Sequence, residues 1–182
     1  NNFDCIIPNS DRGKILHSVN IENEEIVLVE AIIATKKIPK SLLKINKKPF
    51  LYYQLKILEK FNFKEIILCV GHFSNDIIEF ISKEKFKLKI TIASDGKKLV
   101  GTGGAIKKIL NILDDKFFVI YGDSLLKLNY NLFKKKFDKS NKDNIMCVKF
   151  NKSKVENGNV KIFKNNIYYN KSDNLDSDYK YI

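Results

Sequence analysis

Arginine is almost missing from this chain. Arg12 is the one arginine, although lysine and arginine together number 33 and the formal net charge is +12. Strong basic charge suggests a nucleic-acid partner, but proteins that read nucleic acids favour arginine for its bidentate contacts. No helix-turn-helix, RNA-recognition or zinc-finger pattern is visible either. The sequence therefore predicts a solvated lysine surface and no nucleic-acid partner.

Cysteine and histidine are also scarce, with three and two residues. Cys5, Cys69 and Cys147 are far apart in the sequence and form no Cys-x-x-Cys pair, so we expect free thiols and a reducing, cytoplasmic location. His17 and His72 have no partner that suggests nucleophilic catalysis, and no serine lies in a nucleophile elbow.

Long apolar runs are absent as well. The chain has no stretch of about 18 apolar residues and no signal-peptide pattern, so we expect no membrane partner. With 182 residues, 44% of them hydrophobic, it can bury the core of one main domain.

What the sequence does contain is an alternation of short apolar runs with helical patterns. The predicted strands are Ile26–Ile33, Glu65–Val70, Leu88–Ala93, Phe117–Tyr121 and Ile145–Phe150. The predicted helices are Phe50–Phe61, Asp76–Ile81 (capped by Ser74 or Asn75), Gly103–Leu113 and Asn131–Lys139. This order predicts an α/β fold with a doubly wound, mostly parallel sheet, helices on both faces and ligands at the carboxyl ends of the strands.

The pattern changes after Asn151. Val160–Phe163 and Ile167–Asn170 flank Asn165-Asn166, a pair that tolerates left-handed turns, so we expect a β-hairpin. This hairpin either covers a substrate or is a plain surface feature.

The most informative segment is Leu99–Lys108, whose glycines precede a helix. The buried run Phe117–Tyr121 follows, and it ends on Gly122-Asp123. This order brings backbone N–H groups and a helix N-terminus to the same region as a carboxylate, which suits a nucleotide phosphate and its metal ion. We expect Asp123 at the carboxyl end of a central strand.

Four segments in this order resemble the sugar-1-phosphate nucleotidyltransferases: Glu30–Ile33, Ile38–Leu51, Gly101–Ala105 and Tyr121–Ser124. The resemblance covers about residues 29–182 and is closest to bacterial enzymes that make GDP-heptose or GDP-mannose for surface polysaccharides. It implies a Rossmann-like nucleotidyltransferase fold. It also implies transfer of a nucleotidyl group from a nucleoside triphosphate to a sugar 1-phosphate, with release of pyrophosphate and with Mg²⁺ as the cofactor.

The same resemblance assigns roles to individual residues. Asp123 would bind Mg²⁺ and Lys40 would neutralise phosphate charge, so both are predicted catalytic residues; a turn aspartate and a solvated lysine are the plain alternatives. The predicted nucleotide-binding residues are Ser94, Asp95, Gly101, Thr102, Gly103 and Gly104, although Ser94 and Asp95 also suit an ordinary turn. Asn159 is the predicted sugar contact.

One departure from the family is serious. A Gly-x-Gly-Thr-Arg loop follows the family's first strand, whereas here Ile33 leads directly to Ala34. Either the protein lacks this loop, or the continuous numbering passes over it. The second interpretation predicts a Cα–Cα separation between these residues well beyond the roughly 3.8 Å of a trans peptide. The first would favour a non-catalytic, nucleotide-sugar-binding regulatory subunit.

The ends of the chain differ from the middle. We expect residues 26–182 to form a nucleotidyltransferase domain that is incomplete at its C-terminus, with a second metal carboxylate beyond Ile182. Residues 1–25 are either an N-terminal extension or the remnant of an upstream module, because Cys5–Leu16 resembles the hairpin ending of a CBS regulatory module. The sequence leaves homo-oligomerisation open.

Overall fold

The computed structural model describes residues 4–6, 25–29, 38–71, 74–96, 100–150, 160–163, 166–169 and 179–181. The strands are β1 (Asp4–Ile6), β2 (Glu25–Val29), β3 (Lys44–Ile45), β4 (Lys48–Pro49), β5 (Glu65–Val70), β6 (Lys89–Ser94), β7 (Phe117–Tyr121), β8 (Met146–Phe150), β9 (Val160–Phe163), β10 (Asn166–Tyr169) and β11 (Tyr179–Tyr181). The α-helices are α1 (Phe50–Lys60), α2 (Ser74–Lys83), α3 (Gly101–Ile109) and α4 (Tyr130–Ser140).

The chain divides into two units, one of residues 20–125 and one of residues 1–19 and 126–182. The domain boundary expected between residues 25 and 26 stays a prediction, because residues 7–24 lie outside the described part of the chain.

A four-stranded sheet with the order β6-β5-β2-β7 forms the centre of the first unit, and all of its pairings are parallel. The residues of β5 from Ile66 to Val70 are buried, as expected of a parallel strand covered on both faces. The predicted α/β fold with a parallel sheet is therefore confirmed.

Different elements cover the two faces of this sheet. Ala105 and Ile109 of α3 pack with Ile67 and Cys69 of β5 in one buried cluster. Alternate strand residues point to opposite faces, so Ile66, Leu68 and Val70 point away from α3, and they are also buried. Phe63, just beyond α1, meets the ring of Phe118 edge-on at 5.4 Å on that second face.

Helix α1 forms because its apolar residues recur at helical spacing. Leu51, Leu55 and Leu58 are each at most 2% exposed and make one buried stripe. Pro49 precedes the first helical residue, where its missing N–H costs nothing. The helix ends at Lys60, and Asn62, which follows its C-cap residue Phe61, is left-handed with a φ of 60°.

The second unit is built on a five-stranded sheet with the order β1-β8-β11-β9-β10, and its pairings are antiparallel. The predicted strand near residues 145–150 does form as β8, but in this sheet and not in the parallel one. The preceding helix, α4, is capped by Asn129, whose side chain accepts a hydrogen bond from the N–H of Leu132 at 3.1 Å.

The predicted hairpin is confirmed as β9 and β10, but its second strand begins at Asn166, one residue earlier than expected. Asn166 already lies in β10, opposite Phe163, so the connection is the two residues 164–165. The residues of the connection itself lie outside the described part.

Three other predictions need correction. Ser74 and Asn75 are helical residues of α2 and not its caps, although Asp76 is in the first turn as expected. Helix α3 begins at Gly101, two residues early, and a 3₁₀ turn, Leu110–Ile112, continues it. Asp123 was expected after a central strand, but among the described strands β7 pairs only with β2, so in the described part of the sheet Asp123 follows an edge strand.

No helix among the described residues is long and apolar enough to cross a membrane.

We predict that the Cys69 thiol makes the free energy of unfolding fall as the pH rises above 9. Burial, with a smaller contribution from the charge of Asp95, raises the pKa of its thiol from 9.0 to about 11. The thiol thus ionises at lower pH in the unfolded chain, so the stability it contributes is complete below pH 9 and is lost as the pH rises towards 11. Urea unfolding of the wild type and Cys69→Ala should show a smaller stability difference at alkaline than at neutral pH. An equal difference at both would contradict this.

Candidate active site

The strands β5, β6 and β7 end at the same edge of the parallel sheet. The register pairs Val29 with both Cys69 and Tyr121, and it pairs Val70 with Ser94. The segments that leave the carboxyl ends of β5, β6 and β7 therefore emerge from the same edge of the sheet, with the end of β2 between those of β5 and β7. This is the edge at which open α/β sheets bind ligands.

Asp123 and Lys40, the two predicted catalytic residues, meet at this edge although 83 positions separate them. The Lys40 ammonium donates to Oδ2 of Asp123 at 3.0 Å. The Asp123 side chain is 27% exposed and that of Lys40 is 47% exposed. Since both groups keep contact with solvent, their charges stay accessible to a ligand that approaches the edge.

A short 3₁₀ helix, Lys40–Leu42, sets the position of Lys40. Pro39, with a φ of −54°, precedes it, and the N–H of Leu42 donates to the Pro39 carbonyl at 2.9 Å. Ser41 is only 2% exposed, so this turn is anchored while the Lys40 side chain remains outside.

A residue that the sequence reasoning missed holds the turn of Asp123. Gln54 of α1 is 4% exposed, and its Nε2 donates to the carbonyls of Tyr121 at 3.0 Å and of Ser124 at 2.8 Å. The signal was present in the sequence, because a glutamine between Leu51 and Leu55 falls on the buried stripe of the helix, where a polar side chain needs a partner.

Ser94 is the last residue of β6, and Asp95 is the first residue beyond it. The Oγ of Ser94 accepts from the N–H of Gly96 at 3.2 Å, and the N–H of Asp95 donates to the Val70 carbonyl at 2.8 Å. The Asp95 side chain is only 8% exposed, and the ammonium of Lys108 lies 4.0 Å from its Oδ1 and 2.8 Å from its backbone carbonyl. These contacts tie the segment after β6 to α3, and the contact of Ser94 and Asp95 with a nucleotide stays a prediction.

The predicted glycine-rich residues make up the first turn of α3. Gly101 has a φ of +71°. The N-cap residue, Val100, has no side-chain group that caps the helix, so it accepts no hydrogen bond from the N–H groups of the first turn. A Cβ added to Gly104 would lie 2.7 Å from the Cβ of Val100, whereas one added to Gly103 would meet nothing within 4 Å. The fold therefore requires the glycine at 104 and leaves open space beside the glycine at 103.

Some of the predicted features fall outside the described residues. These are the sugar contact Asn159 and the junction between Ile33 and Ala34, so the expected gap there stays a prediction. Within the described ranges, no group of three or more histidine, cysteine, aspartate or glutamate residues could hold a metal ion.

Comparison with known proteins identifies the family. The nucleotidyl transferase profile matches residues 34–166, well over half of the chain. The chain belongs to the nucleotidyl transferase family. The match begins at Ala34, the residue that follows the junction at which the Gly-x-Gly-Thr-Arg loop is expected.

Its relatives include sugar-phosphate enzymes. The chain is 35% identical over 99 residues to D-glycero-α-D-manno-heptose 1-phosphate guanylyltransferase of Campylobacter jejuni, covering 54% of this chain and 44% of that one. It is 33% identical over 94 residues to mannose-1-phosphate guanyltransferase of Yarrowia lipolytica, covering 49% and 26%.

Solved structures agree with this assignment. HddC from Yersinia pseudotuberculosis superposes with a TM-score of 0.58 at 29% identity, covering 64% of this chain and 55% of that one. A complex of the same protein with GMP-PN also has a TM-score of 0.58, at 30% identity. The chain thus spans about half the length of the first relatives that it matches.

We predict opposite effects for two neighbouring glycine substitutions in α3. Gly104→Ala should lower the free energy of unfolding by about 1–3 kcal/mol, because the methyl group would overlap Val100. Gly103→Ala should be neutral or stabilise by up to about 1 kcal/mol through helix propensity, yet weaken nucleotide binding if the ligand occupies the space beside it. Thermal unfolding and calorimetric titration with GTP measure the two effects. Unchanged GTP affinity in Gly103→Ala would contradict the prediction that the nucleotide lies against Gly103.

Proposed function

We propose that the protein transfers a nucleotidyl group from a nucleoside triphosphate to a sugar 1-phosphate, giving a nucleotide sugar and pyrophosphate. The observation that carries this proposal is the contact of Lys40 with Asp123 at the carboxyl edge of the sheet. A cation and an anion at the ligand edge of a nucleotidyltransferase fold are the pair that this reaction needs.

The reaction requires two polyanions to approach each other. An oxygen of the sugar phosphate attacks the α-phosphorus of the triphosphate in line, the bond to the bridging oxygen breaks, and pyrophosphate leaves with the electron pair. No covalent intermediate on the protein is needed, so the chain's work is orientation and charge compensation. Lys40 supplies positive charge, and the backbone N–H groups in the first turn of α3 supply oriented donors.

The residues at the site fit Mg²⁺. Asp123 has a partly exposed carboxylate, and its Oδ1 accepts a long hydrogen bond, 3.4 Å, from the Ser124 hydroxyl. Mg²⁺ is bound in such enzymes by one or two carboxylates together with substrate phosphates and water, so a lone aspartate suffices as the protein's share. When bound, the ion would supply positive charge that offsets the negative charge of the substrate phosphates. Lys40 would have to release Oδ2 or share it.

A guanine nucleotide and a heptose or mannose phosphate are the substrates that we favour. The guanylyltransferases of Campylobacter and Yarrowia and the GMP-PN complex of HddC support this choice. The product would then serve surface polysaccharide synthesis. A cytoplasmic location is part of the proposal, because Cys69 and Cys147 are buried free thiols, as in proteins of reducing compartments.

A regulatory subunit that binds nucleotide sugars without catalysis is the second candidate. It is favoured by one observation, the passage from Ile33 to Ala34 without the Gly-x-Gly-Thr-Arg loop. Sequencing the gene across this junction distinguishes the two, since a loop found there would favour the enzyme.

We predict that Asp123→Asn keeps the fold but lowers turnover at least about 100-fold, because the amide loses the charge that holds the metal. Pyrophosphate release should be measured for a panel of triphosphates crossed with sugar 1-phosphates, with the wild type and this variant side by side. Release by the variant at near wild-type rates under saturating Mg²⁺ would mean that the metal is held elsewhere. No release by the wild type with any pair would sink the enzyme proposal.

Lys40 offers a second test with a matched control. Lys40→Met should lower kcat/KM about 10- to 100-fold, because the site loses a cation beside the phosphates. Lys60→Met is the control: Lys60 is exposed at the end of α1 and should leave kcat/KM unchanged. Equal losses in both variants would indicate a general effect of surface charge and contradict a specific role for Lys40.

A further inference from the structure

Gln54 is the only glutamine in the chain, and it is buried. It lies on α1 within the stripe formed by Leu51, Leu55 and Leu58, so its side chain points where the rest of that face is apolar. A single polar group at such a position needs a specific reason, because its burial costs free energy unless it is hydrogen-bonded.

The contacts of Gln54 supply that reason. Its Nε2 donates to the carbonyls of Tyr121 and Ser124, which are the first and last residues of the turn that carries Asp123. The turn is closed on its own by one further bond, from the N–H of Ser124 to the carbonyl of Tyr121 at 3.2 Å. One amide nitrogen thus holds both ends of a four-residue turn.

The remaining atom of the amide points to the same role. Oε1 of Gln54 is buried and has no hydrogen-bond partner in the described part of the chain. An apolar side chain of similar size would avoid this cost, so the amide is not explained by the stability of the core alone. What only glutamine offers at this length is a nitrogen with two protons for two carbonyls.

We propose that Gln54 is a positioning residue that fixes the turn from Tyr121 to Ser124 and thereby holds the Asp123 carboxylate in place for nucleotidyl transfer. The inference rests on the proposed function. Gln54 itself does not touch the reacting atoms; it acts on Asp123 through the two carbonyls on either side of it.

The test compares two substitutions on the same helix. Gln54→Met keeps the volume of the side chain but removes both donors, while Leu55→Met alters the adjacent buried position and removes no hydrogen-bonding group. For the triphosphate that gives the fastest pyrophosphate release, Gln54→Met should lower kcat about 10- to 100-fold, since a misplaced catalytic group costs rate and not binding. Its KM for the triphosphate should stay within about twofold of wild type, and Leu55→Met should match wild type in both constants.

A readout independent of activity accompanies the kinetics. Amide hydrogen exchange at Ser124 should be faster in Gln54→Met than in the wild type, while the amides of β5 keep their protection. Wild-type kcat in Gln54→Met, or an equal fall of kcat in Leu55→Met, would overturn the positioning role. Unchanged exchange at Ser124 would overturn it as well.

A second measurement tests the positioning role if Gln54→Met does not fold. It follows hydrogen exchange of the Gln54 side-chain amide in ¹⁵N-labelled wild type, and this signal is readily assigned because the chain has one glutamine. Slow exchange of its protons is expected, and exchange as fast as that of a solvated amide would overturn the proposal. If the wild type transfers no nucleotide, the proposed function fails, and the exchange at Ser124 alone decides whether Gln54 holds the turn.

Discussion

Parallel pairing of β5 with β2 and β6, and of β2 with β7, is the constraint on which the site depends. Because these strands run in the same direction and in register, their carboxyl ends lie along one edge. The segments that follow Val70, Ser94 and Tyr121 therefore leave the sheet at the same edge, and the N–H of Asp95 bonds directly to the Val70 carbonyl. The burial of β5 on both faces makes this register costly to change, since a slip of one residue would exchange the two faces of the strand.

The contacts at this edge divide by what they contribute. The Lys40–Asp123 pair is partly solvated, and exposed ion pairs contribute only about 0–1 kcal/mol to stability. The pair therefore contributes little to folding, and the role that we propose for it is ligand binding. The hydrogen bonds of Gln54 and the contact between Lys108 and the Asp95 carbonyl are of a different kind, because they tie turns to the helices α1 and α3. Accessible charges thus sit on turns that buried or helix-anchored groups hold in place.

The sequence predicted the elements whose signals are local. The apolar runs Glu65–Val70 and Phe117–Tyr121 are strands with the predicted bounds, and the helix at residue 50 begins as its leucine spacing indicates. Helix α3 begins two residues earlier than predicted, because glycine is a poor helix former and the sequence pattern therefore favours a later start. In the structure, Gly101 adopts a left-handed conformation and the backbone of Gly104 lies close to the Val100 side chain, so the glycines fit the first turn.

Other features depend on pairings that no local pattern contains. Alternating strands and helices do not reveal that β8 leaves the parallel sheet, or that β7 lies at its edge in the described residues. Lys40 and Asp123 could be chosen from their motifs, but their 3.0 Å contact could not. Gln54 was missed because a single polar residue on an apolar stripe gives no sign of its partner, which is the backbone of a turn far along the chain.

The most direct test of this account is the location of the metal. Mn²⁺ in place of Mg²⁺, added with GTP to ¹⁵N-labelled protein, broadens the NMR signals of nearby amides. We expect selective broadening of the amide signals of Gly122, Asp123 and Ser124 in the wild type. This broadening should be lost in Asp123→Asn. Broadening elsewhere with none at this turn, or the same broadening in the variant, would contradict the assignment of Asp123 as the metal-binding residue.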